Sequence, residues 1–385
     1  MSAVVSSMWV GVVTWGEGFL ARRVWGLSLA AWGFVATGWL AFTGLLWDGA
    51  WHASWGRDTF FIPPHDLMYG GIALATAISI GIIVTASRRP RDPSMIHFGK
   101  VQAPLGIWIA LVGVTIMYSG AAYDDWWHRN IGHVEGDIVL WSPPHFIGMF
   151  GALLALAGGV LFILPQVLTP KTRDGKPVLF WQKLDMPNIG LLMLFCWFAS
   201  QIAGMSLDRW LIYDKLRFEG STYPILAMLF GPALLVVAQR LSNRAGAATF
   251  VVIVPFLWSA IVGMTLRGFG VPKMASLPIM AIPSALLLDI AFARFGMGKR
   301  WLLFFGPVFV LTFYASEFLW AWYLTRYPWW PLDKTFLMMP VGIVVGTASL
   351  LMGAWIADGV EKILMRQEAQ RVRARMKSNI VQEAE

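Results

Sequence analysis

Cysteine and charged residues are both scarce in this sequence. The single cysteine, Cys196, excludes a disulfide framework and a thiolate metal cluster. Charged residues make up 14% of the chain, against about 25% in soluble domains, and 57% of the residues are hydrophobic. The mean hydropathy is +0.61, and no window alternates with the period of a barrel strand. The composition therefore predicts an integral membrane protein built from helices.

Apolar stretches of roughly 20 residues, the length that crosses a bilayer, recur about ten times along the chain. Because backbone polar groups in lipid must be satisfied internally, we expect each stretch to form a helix. The predicted fold class is therefore all-α, a polytopic bundle of about ten transmembrane helices. The expected spans are residues 24–47, 66–87, 103–123, 144–168, 188–206, 221–239, 247–265, 274–294, 301–325 and 336–357.

The net charge of +8 reflects membrane topology and not a nucleic-acid partner. When the ten spans divide the chain, 21 of the 30 lysine and arginine residues fall in the segments on one side. The positive-inside rule then places both termini in the cytoplasm. We expect a multi-pass protein of a bacterial-type inner membrane, with the lipid bilayer as its surroundings.

Four regions follow from this division. Residues 1–23 form an N-terminal interfacial segment, and residues 24–168 form two tandem transmembrane hairpins. Residues 169–358 form an additional helical scaffold, a substrate or quinone surface, or a subunit interface, and the sequence does not choose among these. Residues 359–385 form a charged tail, either a solvated cytoplasmic helix or a docking segment.

Histidine is concentrated in the two hairpins. Five of the six histidines lie in two stretches, DGAWHASWGRDTFFIPPH from residue 48 and DDWWHRNIGHVEGDIVLWSPPH from residue 124. Both stretches end in Pro-Pro-His, and both join an outgoing span to a returning one. With the topology above, both face the periplasm. This repetition indicates duplication, or two sites that need the same geometry.

The first stretch has the spacing of a metal site. Asp48 and His52 are four residues apart and share one face if the helix continues through them. His65 follows two prolines, where a helix begins, so it is expected in the opening turn of the next span. One carboxylate and two imidazoles form a three-ligand set with open coordination positions, which suits copper, iron or zinc.

The second stretch repeats this set with Asp124, His128 and His145. Asp125 is an alternative to Asp124 as the carboxylate of this set, because residues three apart on a helix are also neighbours and Asp125 is three residues before His128. His133 is either a spare ligand or a surface residue. The second stretch therefore predicts a second outward metal site.

Further polar residues are candidates for supporting roles. Ligating histidines usually donate their other N–H to a carboxylate or carbonyl, and Asp58, Glu135 and Asp137 are placed to accept it. Arg57 and Arg129 are candidates to pair with these acids.

Two acids lie inside the apolar spans. Burying a carboxylate there costs free energy, so each is a candidate for a functional role. Glu317 is the candidate for a proton relay or a contact with quinol. Asp289 lies near a cytoplasmic end and is expected to reach water.

The first stretch resembles the copper-binding signature in the C subunit of the copper membrane monooxygenases, the particulate methane and ammonia monooxygenases. The residues in register are Asp48, Trp51, His52, Arg57-Asp58-Thr59, Phe61, Pro63 and His65. The second stretch resembles that family's downstream site, although Asp124 replaces an asparagine and the connection is longer. The likeness covers roughly 100 residues, and the chain has about four additional spans, so it looks like a divergent relative.

The resemblance implies a copper-dependent membrane monooxygenase subunit. Asp48, His52 and His65 would be its copper ligands and catalytic centre, O2 and a small apolar molecule its substrates, and quinol the electron donor. Separate partner subunits or a homo-oligomer are implied by the resemblance only. Two other functions remain open: periplasmic capture or transport of a metal, and a structural or electron-transfer subunit.

Overall fold

The fold is given by a computed structural model that describes residues 19–55, 60–131, 142–167, 177–179, 185–207, 223–271, 281–296, 298–319 and 332–384. Ten α-helices occur in these residues, and each coincides with one predicted span. They are α1 Leu29–Trp55, α2 Pro63–Ser87, α3 Leu105–Asn130, α4 Pro143–Ile163, α5 Met186–Leu207, α6 Tyr223–Ser242, α7 Ala247–Gly268, α8 Ile282–Phe295, α9 Lys299–Leu319 and α10 Leu332–Ala384. The chain is therefore an all-α polytopic bundle, as predicted.

Eight of these helices are long and apolar enough to cross a membrane. The other two are α5, whose apolar part is Met186–Ile202, and α8, which has 14 residues. At 1.5 Å per residue α8 is about 21 Å long, less than the hydrocarbon core of about 30 Å. The first part of its predicted span lies outside the described residues.

Six short strands accompany the helices and were not predicted from the sequence. They form two antiparallel pairs, Arg23–Val24 (β1) with Leu27–Ser28 (β2) and Ile96–Phe98 (β3) with Val101–Ala103 (β4). Val178–Leu179 (β5) runs parallel to Arg244–Ala245 (β6). Strands of two or three residues have too few positions to show a period in sequence.

The first four helices form two antiparallel pairs, α1 with α2 and α3 with α4. α2 also packs on α3, where the Thr76 hydroxyl lies 3.3 Å from the Tyr118 hydroxyl. The β3–β4 hairpin joins α2 to α3, so the last turns of α1 and α3 and the first turns of α2 and α4 lie at the opposite end of the bundle. The four helices thus pair in the order expected of two hairpins, and the division of the chain into regions stays a prediction.

The remaining helices form a second group around α6 and α10. α6 packs along α10 and against α5, while α9 packs on α8 and α10. α10 does not end at the last predicted span but continues as a helix to Ala384, so the charged tail from residue 359 is helical. α5 and α7 contact α1 and join the two groups.

Candidate metal centre

Asp48, His52 and His65 converge at the tip of the first hairpin. His52 Nε2 lies 3.1 Å from Asp48 Oδ1, and His65 Nε2 lies 3.0 Å from the same oxygen. One ligand atom from each of the three residues lies within 4.8 Å of the others. Ligands about 2.0–2.2 Å from a shared ion are separated by roughly these distances. The structure therefore brings together the three side chains expected from the spacing.

Two helix ends position the three side chains. Asp48 and His52 lie one turn apart in the last part of α1, which continues to Trp55. α2 begins at Pro63, after Ile62 in an extended conformation, so His65 is the third residue of the helix. Proline suits this first turn because its missing N–H would have no partner within the helix. The predicted helix start and the opening-turn position of His65 are confirmed.

The hydrogen bond made by His65 Nδ1 leaves Nε2 as the nitrogen available to a metal ion. His65 Nδ1 lies 2.9 Å from the carbonyl oxygen of Phe60. A carbonyl oxygen only accepts hydrogen bonds, so Nδ1 carries the proton and donates it. In the neutral ring Nε2 then has a free lone pair, and it faces Asp48. This is the arrangement usual for a metal-bound histidine, whose second N–H is held by a carbonyl or carboxylate.

Asp48 Oδ1 is buried and accepts no hydrogen bond from the residues that the structure describes. The two imidazoles reach it at ion-pair distance but without hydrogen-bond geometry. A buried carboxylate is costly unless it is paired, and the described groups that pair with Asp48 are these two imidazoles. A cation placed among Asp48, His52 and His65 would satisfy the carboxylate and accept the imidazole lone pair. The donor set therefore fits a metal ion.

Glycine sets the distance between the two helices at this tip. A Cβ on Gly44 would lie 2.9 Å from the carbonyl oxygen of Pro64, so any side chain there would push α2 away. Gly44 precedes Asp48 by one turn, and Pro64 precedes His65. The close approach of these backbones thus places the carboxylate within reach of His65. The sequence analysis did not use this glycine.

The same packing recurs in the second hairpin. Gly120 precedes Asp124 by four residues, and its Cβ would lie 3.2 Å from the carbonyl oxygen of Pro144. Gly71 and Gly151, each six residues after a Pro-Pro-His histidine, also approach the backbone of the partner helix. The repeat is therefore Gly-x3-Asp-x3-His with Pro-Pro-His-x5-Gly. The glycine spacing was a signal that the sequence analysis missed.

Aromatic rings surround the first cluster. Tyr69 lies one turn after His65, with ring centroids 5.9 Å apart, and stacks on Phe60 at 5.0 Å. The Trp51 and Trp55 rings are 4.7 Å apart in the last part of α1. The three ligand side chains are 13–17% exposed.

In the second hairpin the structure brings Asp124 and His145 together less closely. His145 Nδ1 lies 3.6 Å from Asp124 Oδ1 and 2.7 Å from the Ser142 hydroxyl oxygen. His128 follows Asp124 by one turn of α3, but its side chain lies outside the described part. Asp125 is held by Arg129 at 2.8 and 3.0 Å, which favours Asp124 as the carboxylate of this pair.

Several predicted supporting residues lie outside the described residues. They are Arg57, Asp58, His133, Glu135 and Asp137. Their supporting roles stay predictions. Arg129 is described and pairs with Asp125, whereas the acids proposed for it lie outside the described residues.

The intramembrane acids occupy the second group of helices. Asp289 is 4% exposed and does not reach water: it accepts bonds from Gln239 Nε2, the Ala248 and Thr249 backbone N–H groups and the Thr249 hydroxyl. Three of these four donors are in the first turn of α7, and two of them are backbone N–H groups, so Asp289 caps that helix from a neighbouring element. Glu317 is 3% exposed on α9, which packs mainly on α8 and α10, away from the cluster.

The space beneath the cluster is apolar. It is lined by residues of all five helices from α1 to α5, about two turns below the ligands, and its described lining has one hydroxyl, that of Thr37. This hydroxyl donates to the Phe34 carbonyl oxygen at 2.8 Å. No chain of polar side chains therefore leads down from the cluster through the described lining of this space.

No protein-family model, curated protein or solved structure matches this chain. The resemblance to the copper membrane monooxygenases therefore rests on the signature residues of the two hairpins alone.

Proposed function

We propose that this chain is a membrane metalloprotein whose Asp48, His52 and His65 hold one metal ion, and that it acts as a subunit of a copper-dependent monooxygenase. The observation that carries the proposal is the convergence of both Nε2 atoms on Asp48 Oδ1, at 3.0 and 3.1 Å. The resemblance of the first signature to the monooxygenase family supports copper as the metal. The positive-inside distribution supports a periplasmic position for the cluster.

Bound copper would supply activation of O2, with one oxygen atom entering the substrate, the other leaving as water, and quinol providing two electrons and two protons. The protein's own residues prepare the site for this chemistry. Asp48 supplies the negative charge that balances a cation, and His52 and His65 complete the three ligands. The Phe60 carbonyl fixes the His65 ring so that Nε2 faces the site. Three protein ligands leave coordination positions open.

The surroundings suit a small apolar substrate. Tyr69 and Phe60 lie beside His65, and the space beneath the cluster is lined mainly with apolar groups. An apolar environment concentrates hydrocarbon and protects reactive species from side reactions with water. The second hairpin, with Asp124, His128 and His145, is the candidate for a second metal site of the same enzyme.

Capture or transport of a metal at the periplasmic face is the second candidate function. The 13–17% exposure of the ligands favours it, because an ion in solution can reach them. Asp/His2 ligation also accepts zinc and iron. The apolar space beneath the cluster favours catalysis over transport, since a transported ion needs polar groups along its path.

Metal analysis tests the proposal. The chain would be purified in native-like lipid, and its metal content and paramagnetic resonance compared with those of His52→Ala and His65→Ala. His97→Ala is the matched control, because His97 Nε2 bonds the Asp92 carbonyl at 2.8 Å at the other end of the bundle. His128→Ala reports on the second hairpin.

We expect the natural chain to contain copper. Both cluster variants should lose the copper of the first hairpin, and His97→Ala should keep it. An oxygenation assay with small hydrocarbons and ammonia then tests catalysis. Zinc alone would contradict the monooxygenase proposal and support capture. Unchanged metal content in both cluster variants would contradict the site itself.

A further inference from the structure

A ladder of tryptophan rings runs beside the metal cluster to the outer end of α1. Trp47 directly precedes Asp48 in the chain. Trp51 precedes His52 in the same way, and Trp55 is the last residue of the helix. The ring centroids of Trp47 and Trp51 are 6.5 Å apart, and those of Trp51 and Trp55 are 4.7 Å apart. Because residues four apart share one face of a helix, the three rings follow one another past both α1 ligands.

The two ends of the ladder have different surroundings. The Trp47 indole N–H is buried and donates no hydrogen bond to the residues that the structure describes. Trp55 is 48% exposed. An indole that has lost an electron becomes acidic and releases its N–H proton where an acceptor is present. Water is that acceptor at Trp55, whereas Trp47 has none in the described structure, so the loss of an electron that starts at Trp47 comes to rest at Trp55.

The second hairpin has aromatic residues at the equivalent positions. Tyr123 and Trp127 directly precede its carboxylate and its first histidine, and their ring centroids are 5.8 Å apart. Tyr123 also stacks at 5.8 Å on Trp126, which is 50% exposed. A tryptophan that anchors a protein at the membrane interface keeps its N–H in the polar layer. The buried N–H groups of Trp47 and Trp127, which have no partner in the described structure, do not fit that role.

We propose that Trp47, Trp51 and Trp55 form a relay that carries oxidising equivalents from the metal cluster to the surface when no substrate consumes them. This rests on the proposed function, because it needs a metal ion at the cluster that reacts with an oxidant. Each one-electron oxidation there takes an electron from Trp47, which is refilled from Trp51 and then from Trp55. Trp55 releases one proton to water, and a thiol in solution restores it by returning one electron and one proton. The relay thus spares the histidine ligands from oxidation.

Mapping of oxidised residues after treatment with hydrogen peroxide tests the relay. The chain in nanodiscs would be loaded with copper, its copper content measured, and peroxide added without substrate or thiol. Loss of two electrons and two protons from Trp55, with addition of one water oxygen, gives hydroxytryptophan, and these electrons and protons reduce the peroxide to two waters. Peptide mass spectrometry measures hydroxytryptophan at each position, and paramagnetic resonance of rapidly frozen samples detects the indole radical. Trp25 is the internal reference for oxidant in solution, because it is 70% exposed and precedes α1 at the other end of the bundle.

Three substitutions of tryptophan by phenylalanine locate the path. Trp51→Phe interrupts the ladder, because a phenyl ring is much harder to oxidise than an indole, and Trp55→Phe removes its end. Trp39→Phe is the matched control on the same helix: the Trp39 N–H is also buried without a described partner, but Trp39 lies two turns below Trp47 and not between the cluster and the surface. Copper content is measured in every variant before peroxide is added.

We expect hydroxytryptophan mainly at Trp55 in the natural chain and in Trp39→Phe, and more of it there than at the more exposed Trp25. In Trp51→Phe, oxidation of Trp55 should fall to the level of the metal-free protein, and in both ladder variants oxidation should shift to Trp47 and the histidine ligands.

The outcomes separate the relay from the metal site. If the copper-loaded natural chain is oxidised no more at Trp55 than at Trp25, or if the pattern is unchanged in copper-loaded Trp51→Phe, the relay is overturned and the metal site stands. Loss of copper from both ladder variants would make the rings a support for the ligands and would also overturn the relay. A natural chain that binds no copper would overturn the metal site and the relay with it.

Discussion

Replacing Gly44 by alanine tests whether helix spacing positions the metal ligands. The new Cβ would lie 2.9 Å from the Pro64 carbonyl oxygen and 3.2 Å from the Met68 backbone nitrogen. Ordinary contact begins at 3.4 Å, so α1 and α2 must separate locally by about 0.5 Å. Asp48 lies one turn further along α1, and His65 lies next to Pro64. The separation therefore acts directly on the distance between these two ligands.

A shift of this size is large for a metal site. Metal–ligand distances are held to within about 0.2 Å, and changes in the groups that orient ligands lower metal affinity about 10–100-fold. We expect Gly44→Ala to lose affinity in this range, equivalent to about 1.4–2.8 kcal/mol. All three ligands remain present, so the loss would come from geometry alone.

Competitive titration with a chromophoric chelator, on protein in nanodiscs, measures this affinity. Gly38→Ala is the control on the same helix, because its nearest contact would be 3.6 Å, to the Trp197 ring. Gly120→Ala makes the equivalent change in the second hairpin and should leave the first site unaltered. Wild-type affinity in a folded Gly44→Ala protein would refute the link between the glycine contact and the cluster.

Three substitutions test the fold, and removal of the metal tests whether the metal is structural. Asp289→Ala leaves several buried donors unpaired and should cost about 3–5 kcal/mol, with Asp289→Asn milder, measured as the thermal midpoint in detergent. Gly113→Leu should separate α3 from α4, because a Cβ would lie 2.3 Å from the Ala155 backbone nitrogen; an unchanged midpoint would contradict this contact. Trp258→Phe removes the 3.0 Å bond to Thr43 that ties α7 to α1 and should cost about 1 kcal/mol. Chelation of the metal should leave the far-ultraviolet circular dichroism unchanged, since the core is apolar and lies beneath the cluster; loss of helix would show that the metal is structural.

The helices were the most predictable part of the fold. Apolar stretches long enough to cross a bilayer have few alternatives to a helix, because lipid offers no partner for backbone groups. Hydropathy therefore located every helix, including α8, whose described part is short. It did not locate the two- and three-residue strands, which are too short to show a period. A helix was one of the two alternatives for the charged tail, and α10 continues through it.

The candidate site was predictable where its geometry is local. The turn between Asp48 and His52 and the proline start of α2 are properties of short segments, and the structure has both. The fate of Asp289 was not predictable in this way. Its donors, among them Gln239 and Thr249, are 50 and 40 residues away, and only the packing of separate helices brings them to it.

The difference between the two hairpins shows what the repeat does and does not determine. Glycine and proline recur at equivalent positions, and with them the close approach of each helix pair. The residue before Pro-Pro-His does not recur: it is Ile62 in the first hairpin and Ser142 in the second. Ser142 places its hydroxyl 2.7 Å from His145 Nδ1, whereas the corresponding nitrogen of His65 donates to a carbonyl five residues earlier. Backbone packing thus fixes where each cluster lies, whereas the contacts of the two histidines differ: His65 Nε2 faces Asp48, and His145 Nδ1 lies 3.6 Å from Asp124 Oδ1.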